Sequence, residues 1–251
     1  MTEKEEIEVY FHSLIESVQY DRNAFTIWYS EDKVVLGAIL NDDPEAQKFF
    51  NYATIYNTIV DTDAKIKYSF DKSIEMATDI DFDKWNPLNS PSKEEMMSIY
   101  YIENAVFRTS VLWDLLAQLF NIKEGLGKSF DRVYTLQIFR DAQQRENTNP
   151  FAERVYAYMV QADNSDVEPW EGNYEYVKDF RNKMTHRASP NISSLSEFAM
   201  ELRMPAIYIL KRVIEDYKQV SEFIQELIVD ILKDYEKLNN VEPLNEEQNN
   251  A

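Results

Sequence analysis

Ile207, Leu210, Ile214, Tyr217, Val220, Ile224, Leu227, Ile228, Ile231 and Tyr235 recur every three or four residues along the C-terminal part of the chain. This is the 3.6-residue period of a helix with one apolar face, held for about eight turns. So long a face must be covered, and other helices cover it best, which commits the chain to a mainly α fold, an antiparallel helical bundle. The partners are legible. Met96, Ile99, Ile102, Val106, Trp113, Leu116 and Phe120 form a second stripe, and Phe49, Tyr52, Tyr56, Ile59, Ile66, Phe70 and Ile74 a third that runs to about Ala77. Ile7, Phe11, Leu14, Ile15 and Val18 predict a shorter helix over roughly residues 4–19.

Turn chemistry punctuates these stripes. Asp43 and Pro44 suit the N-cap and first position of the third-stripe helix, with Asp61–Thr62–Asp63 as a point where it bends or breaks. Before it, Phe25–Tyr29 and Val34–Leu40 are β-rich runs that read as a short hairpin within residues 25–40. Asn86–Pro91 is the best domain boundary, separating an N-terminal helical extension (1–90) from a bundle (91–238) and a polar tail (239–251). Ser92 with Glu95, and Ser194 with Glu197, have the spacing of capping boxes, and Pro205 interrupts the second of those helices. Gly125 and Gly127 mark a helix end and turn, Arg132–Ala142 and Phe151–Val160 read as helices, and Gln161–Trp170 as a polar loop.

Composition narrows the function classes. The absence of cysteine excludes disulfides and thiolate chemistry. The first residues are acidic without an apolar core segment, and no apolar run approaches 18 residues, so we expect a cytoplasmic protein with no membrane span. A net charge of −19 opposes non-specific binding to nucleic acid. Asp79–Asp83 imitates the start of a calcium loop, but Lys84 stands where that loop needs glycine and Ser90 where it needs glutamate. Gly125–Ser129 lacks the first glycine of a phosphate-binding loop and follows a helix. With two histidines at no metal-ligand spacing, we expect neither a metal nor another cofactor.

The chemistry-bearing stretch is Tyr174–Arg187. Val177, Phe180 and Met184 give its helix an apolar stripe, while His186 lies about 180° around from Val177. Asn182 shares that outward side, Arg181 flanks the stripe, and Lys178, Lys183 and Arg187 make the helix locally basic. Arg181, four residues beginning with the polar Asn182, then His186, resembles the R-x4-6-H signature of the HEPN superfamily, over about residues 92–235.

That resemblance implies an all-helical bundle and, in active members, metal-independent RNA cleavage in toxin, defence or stress systems. By it, the catalytic residues fall on Arg181 and His186, with Asn182 as the polar neighbour. It also implies an acidic or polar residue on the preceding long helix, for which Glu103 is the first choice and Asp114 the second. Arg187, Lys183 and Arg108 are then candidates for RNA or nucleotide phosphate contacts. Arg181 and His186 are about 140° apart around one helix, which favours a homodimer whose two motif helices combine into one groove. The implied partners are RNA, a second copy, and an antitoxin or other protein. Two readings stand beside this. The chain can be a catalytically silent scaffold or partner-binding module, or a nucleotide binder that does not cleave. A histidine near a helix C-terminus is also stabilised by the helix dipole alone.

Overall fold

The computed structural model describes residues 2–25, 44–80, 82–145, 149–163, 170–186, 190–195 and 200–239. They form an all-helical bundle. Its helices are α1 (Glu3–Glu16), α2 (Pro44–Ala77), α3 (Lys93–Lys123), α4 (Thr135–Gln143), α5 (Pro150–Met159), α6 (Asn173–His186) and α7 (Ala206–Asn239). Strand pairing among these residues is confined to two two-residue antiparallel ladders, Ala162–Asp163 with Trp170–Glu171 and Ser194–Leu195 with Met200–Glu201. No helix among them is long and apolar enough to cross a membrane. The expected hairpin at 25–40, apart from Phe25, and the tail beyond Asn239 lie outside the described residues.

The three long stripes make the centre. Ser73 on α2 meets Ser98 on α3 at 2.9 Å, and the rings of Tyr68 and Tyr101 touch, so α2 and α3 run antiparallel. Along α3 and α7 the contacts advance together: Glu95 pairs with Arg203 just ahead of α7, Trp113 with Asp216, and Lys123 with Asp230 at 3.0 Å. These two helices are therefore parallel. Asn173 against Arg212 and Tyr176 against Tyr208 lay α6 antiparallel on α7. One continuous apolar core extends from Phe11 on α1 to Ile231 on α7, with residues on both sides of the Asn86–Pro91 linker in it.

Several local expectations change in the fold. Helix α2 passes unbroken through Asp61–Thr62–Asp63, because the buried Asp63 carboxylate accepts a hydrogen bond from the Tyr217 hydroxyl and pairs with Lys67 at 3.0 Å. Only half of the Ser92 capping box forms. Ser92 Oγ accepts from the Glu95 amide at 3.1 Å, but the Glu95 side chain turns inward to Trp85 Nε1 and Arg203. Ser194 begins a ladder, not a helix, and Pro205 ends that segment immediately before α7, where its missing N–H costs nothing. A further capping box, unforeseen, opens α1: Thr2 and Glu5 exchange backbone and side-chain hydrogen bonds.

The turn after α3 follows the glycine reading. Gly125 (φ 58°) and Gly127 (φ 65°) occupy the left-handed region, and Asn121 clasps the turn through both the amide (3.1 Å) and the carbonyl (2.7 Å) of Lys128. A different constraint holds Gly172, which joins the first ladder to α6. A Cβ there would lie 2.6 Å from the Gln161 carbonyl oxygen, a backbone atom that cannot swing aside. Gly172→Ala is expected to cost about 1–3 kcal/mol in urea unfolding, as overpacking does elsewhere.

Candidate functional site

Helix α6 is anchored by Tyr174, Val177 and Phe180, all buried, with Met184 packed at the edge of the core. At its first turn, Asn173 hydrogen-bonds both the buried Arg212 guanidinium and Glu215 (3.0 Å). Arg212 also donates to the Glu171 carbonyl at 2.6 Å and lies over the Tyr176 ring at 4.4 Å. The start of α6 is thus fixed by charge-assisted bonds, and the rest of the helix is aimed by its apolar stripe.

That aim places Lys178, Arg181 and Asn182 on one wall of a cleft of ≈ 430 Å³. The opposite wall is α3, contributing Ser110 and Asp114, and the segment around Thr135 closes one side. Asp114 accepts a 2.7 Å hydrogen bond from Thr135 Oγ1, which holds its carboxylate across from the basic wall. Lys178 is paired with Glu175 at 2.9 Å, while the half-buried Arg181 leads the basic side. Beneath lie Trp113 and Asp216. The Tyr174 ring meets Trp113 edge-on at 5.0 Å, with the Tyr158 ring stacked on the same indole at 5.8 Å.

Asp216 escaped the sequence reading. It is fully buried and accepts from Trp113 Nε1 and the Tyr158 hydroxyl, each at 3.0 Å. Burial pushes its carboxyl up to about 7, opposed by these two hydrogen bonds and by Arg212. A signal was available: Ile209, Val213, Val220 and Phe223 continue an apolar face in which position 216 is the one acid. Between the ordinary carboxylate range near 4 and about 7, the folded chain holds a proton that the unfolded chain has lost, so this group's contribution to stability falls as pH rises through that window. Asp216→Asn is expected to flatten the stability profile from pH 4 to 7, measured by urea unfolding at half-unit steps.

The other candidate residues divide among separate places. Glu103 lines a different cleft of ≈ 550 Å³, between the start of α3, the 86–91 linker and Asn191. There it accepts from Asn191 Nδ2 at 2.6 Å, and burial raises its carboxyl above the usual range. Arg108 faces a groove shared with Tyr68 of α2 and bonds to Asn104 on its own helix at 3.0 and 3.1 Å. Lys183 pairs with Asp179 at 3.2 Å. His186 is the last residue of α6, its side chain outside the described part, and Arg187 lies outside it altogether. The structure therefore brings together Arg181, Asn182 and Asp114, and sets Glu103 and Arg108 elsewhere.

No protein-family model, curated protein or solved structure matches this chain.

Proposed function

We propose that the chain is a metal-independent endoribonuclease of HEPN type, acting as a homodimer, with the Arg181 cleft as its phosphodiester site. The observation that carries this reading is that Arg181 and Asn182, from one helix, share a cleft with Asp114 from the helix before it. The ribose 2′-oxygen attacks the adjacent phosphorus and the 5′-oxygen departs, leaving a 2′,3′-cyclic phosphate and a 5′-hydroxyl. Charge builds on the non-bridging oxygens, where the planar Arg181 fork supplies paired donors. The imidazole of His186, one turn and a half further along α6, moves a proton at the 2′- or the 5′-oxygen near neutral pH. Asp114 is the acceptor best placed for a sugar hydroxyl, and on position it takes the acidic role ahead of Glu103.

The test is an end-labelled RNA incubated with the purified full chain in excess EDTA. Cyclic-phosphate products support the reading. Intact RNA, or cleavage only after Mg²⁺ is restored, overturns it. The scaffold reading has its own support in the exposed apolar face of α3, and intact RNA returns the protein to that role.

A further inference from the structure

Helix α3 is buried along one side and conspicuously apolar along the other. Met97, Tyr100, Phe107 and Val111 are 36, 55, 41 and 42% exposed, and Asn104 stands among them half-buried. The intervals from 97 to 100, 104, 107 and 111 are three, four, three and four residues. This is the a/d repeat of a two-stranded coiled coil, running about 21 Å along the helix, with a polar asparagine at its central a position. Among the described residues these side chains stay partly open to solvent, with α2 bordering the groove at Tyr100 and Asn104. Three further exposed apolar side chains, Leu88, Ile192 and Met204, line the cleft beside its N-terminal end.

We infer that this seam is where a second copy of the chain docks, the two α3 helices packing parallel about a two-fold axis. The charges beside the seam choose the occupant and its direction. Glu103 falls at a g position and Arg108 at the following e position, five residues on. In a parallel pair, g of one helix faces e of the other, so Glu103 meets Arg108 of the second copy twice around the axis. An antiparallel pair would set the two Glu103 edges together and the two Arg108 edges together. Both side chains are already held in place, Glu103 by Asn191 and Arg108 by Asn104. Asn104, at the centre, faces its own symmetry mate, where an amide can both donate and accept.

The inference deepens the dimeric reading above and rests on it only for its consequence at the cleft. Asp114, three residues past Val111, is the next d position and also a wall of the Arg181 cleft. The seam therefore ends at that cleft, and pairing through it sets the clefts of the two copies side by side.

Because the chain has no cysteine, Asn104→Cys introduces a single thiol on the seam. We expect this variant to form a disulfide-linked dimer under mild oxidation, whereas Val9→Cys, exposed on α1, does not. Sedimentation of the unmodified protein at tens of micromolar should give a dimer. Glu103→Arg and Arg108→Glu should each weaken it about tenfold, and the double exchange should restore it. Phe107→Glu should yield a folded monomer by circular dichroism. A monomeric parent, or a dimer that Asn104→Cys fails to cross-link, overturns the seam. RNA cleavage is assayed on the same samples: a seam dimer that leaves RNA intact sinks the ribonuclease reading alone, and a cleaving monomer sinks the seam and the homodimeric part of that reading while leaving its chemistry standing.

Discussion

Arg203→Leu is expected to lower stability by about 3–5 kcal/mol, the usual cost of stripping one partner from a buried ion pair. Arg203 and Glu95 are 6 and 3% exposed, and the guanidinium does more than neutralise the acid. It donates to the carbonyls of Pro87 (3.2 Å), Asn86 (2.9 Å) and Asn89 (3.1 Å), and lies 5.2 Å over the Trp85 ring. Leucine would leave the Glu95 charge with Trp85 Nε1 as its remaining side-chain donor; the Asn86 and Asn89 carbonyls would lose their side-chain donor, and Pro87 would keep only that from Ser193 Oγ. Arg154→Ala is the control, since Arg154 and Glu226 form an exposed pair that contributes at most about 1 kcal/mol. Urea unfolding of both variants checks the contrast, and equal losses would refute the clasp. Glu95→Leu combined with Arg203→Leu should recover part of the loss, because the stranded charge is then gone.

Arg181→Ala should reduce RNA cleavage about 10²–10³-fold, the typical cost of removing one pre-aimed donor from a developing oxyanion. Its effect on folding should be small, since Arg181 is half-buried at the cleft wall beside the fixed Val177 and Phe180 stripe. Arg181→Lys should rescue little, because an ammonium cannot reproduce the planar fork. His186→Ala should remove a proton-transfer group, a further 10²–10⁴-fold effect. Mixing the two inactive proteins distinguishes how the site is built: partial recovery means that Arg181 of one chain works with His186 of the other. Asp114→Asn against Glu103→Gln decides the acidic role, and a larger loss at Glu103 would contradict the cleft assignment. Full activity in both Arg181→Ala and His186→Ala would end the mechanism.

The long stripes of α2, α3 and α7 were legible because period-3.6 burial is written into each helix separately, and the Gly125–Gly127 turn because left-handed backbone favours glycine. What misled were residues whose partners lie far along the chain. Asp63 reads as a helix breaker until Tyr217 arrives, and Glu95 reads as half of a capping box until Arg203 draws it inward. Ser194 and Glu197 have the spacing of a cap, but Ser194 pairs with Glu201 in a ladder. The candidate site divides the same way. Arg181 and Asn182 stand out on one helix, whereas which of Asp114 and Glu103 lines their cleft depends on the neighbours that surround α3. Asp216 was visible only as an acid in an apolar face, and its two donors come from α3 and α5.

The parallel course of α3 and α7 sets the order in which the molecule can assemble. The α2–α3 pairing joins residues as near as Ser73 and Ser98, 25 positions apart, while Trp113 and Asp216 are separated by 103. Loop closure favours the first pairing, so the α2–α3 hairpin forms early and waits with one apolar side uncovered until the chain has passed Ala206. On a ribosome that interval spans the synthesis of about a hundred residues, at roughly 5–20 per second. During it the uncovered side of α3 is open to unrelated chains. Helix α7 is therefore the one that ends this exposure, and a chain stopped before it leaves the hairpin without its lid.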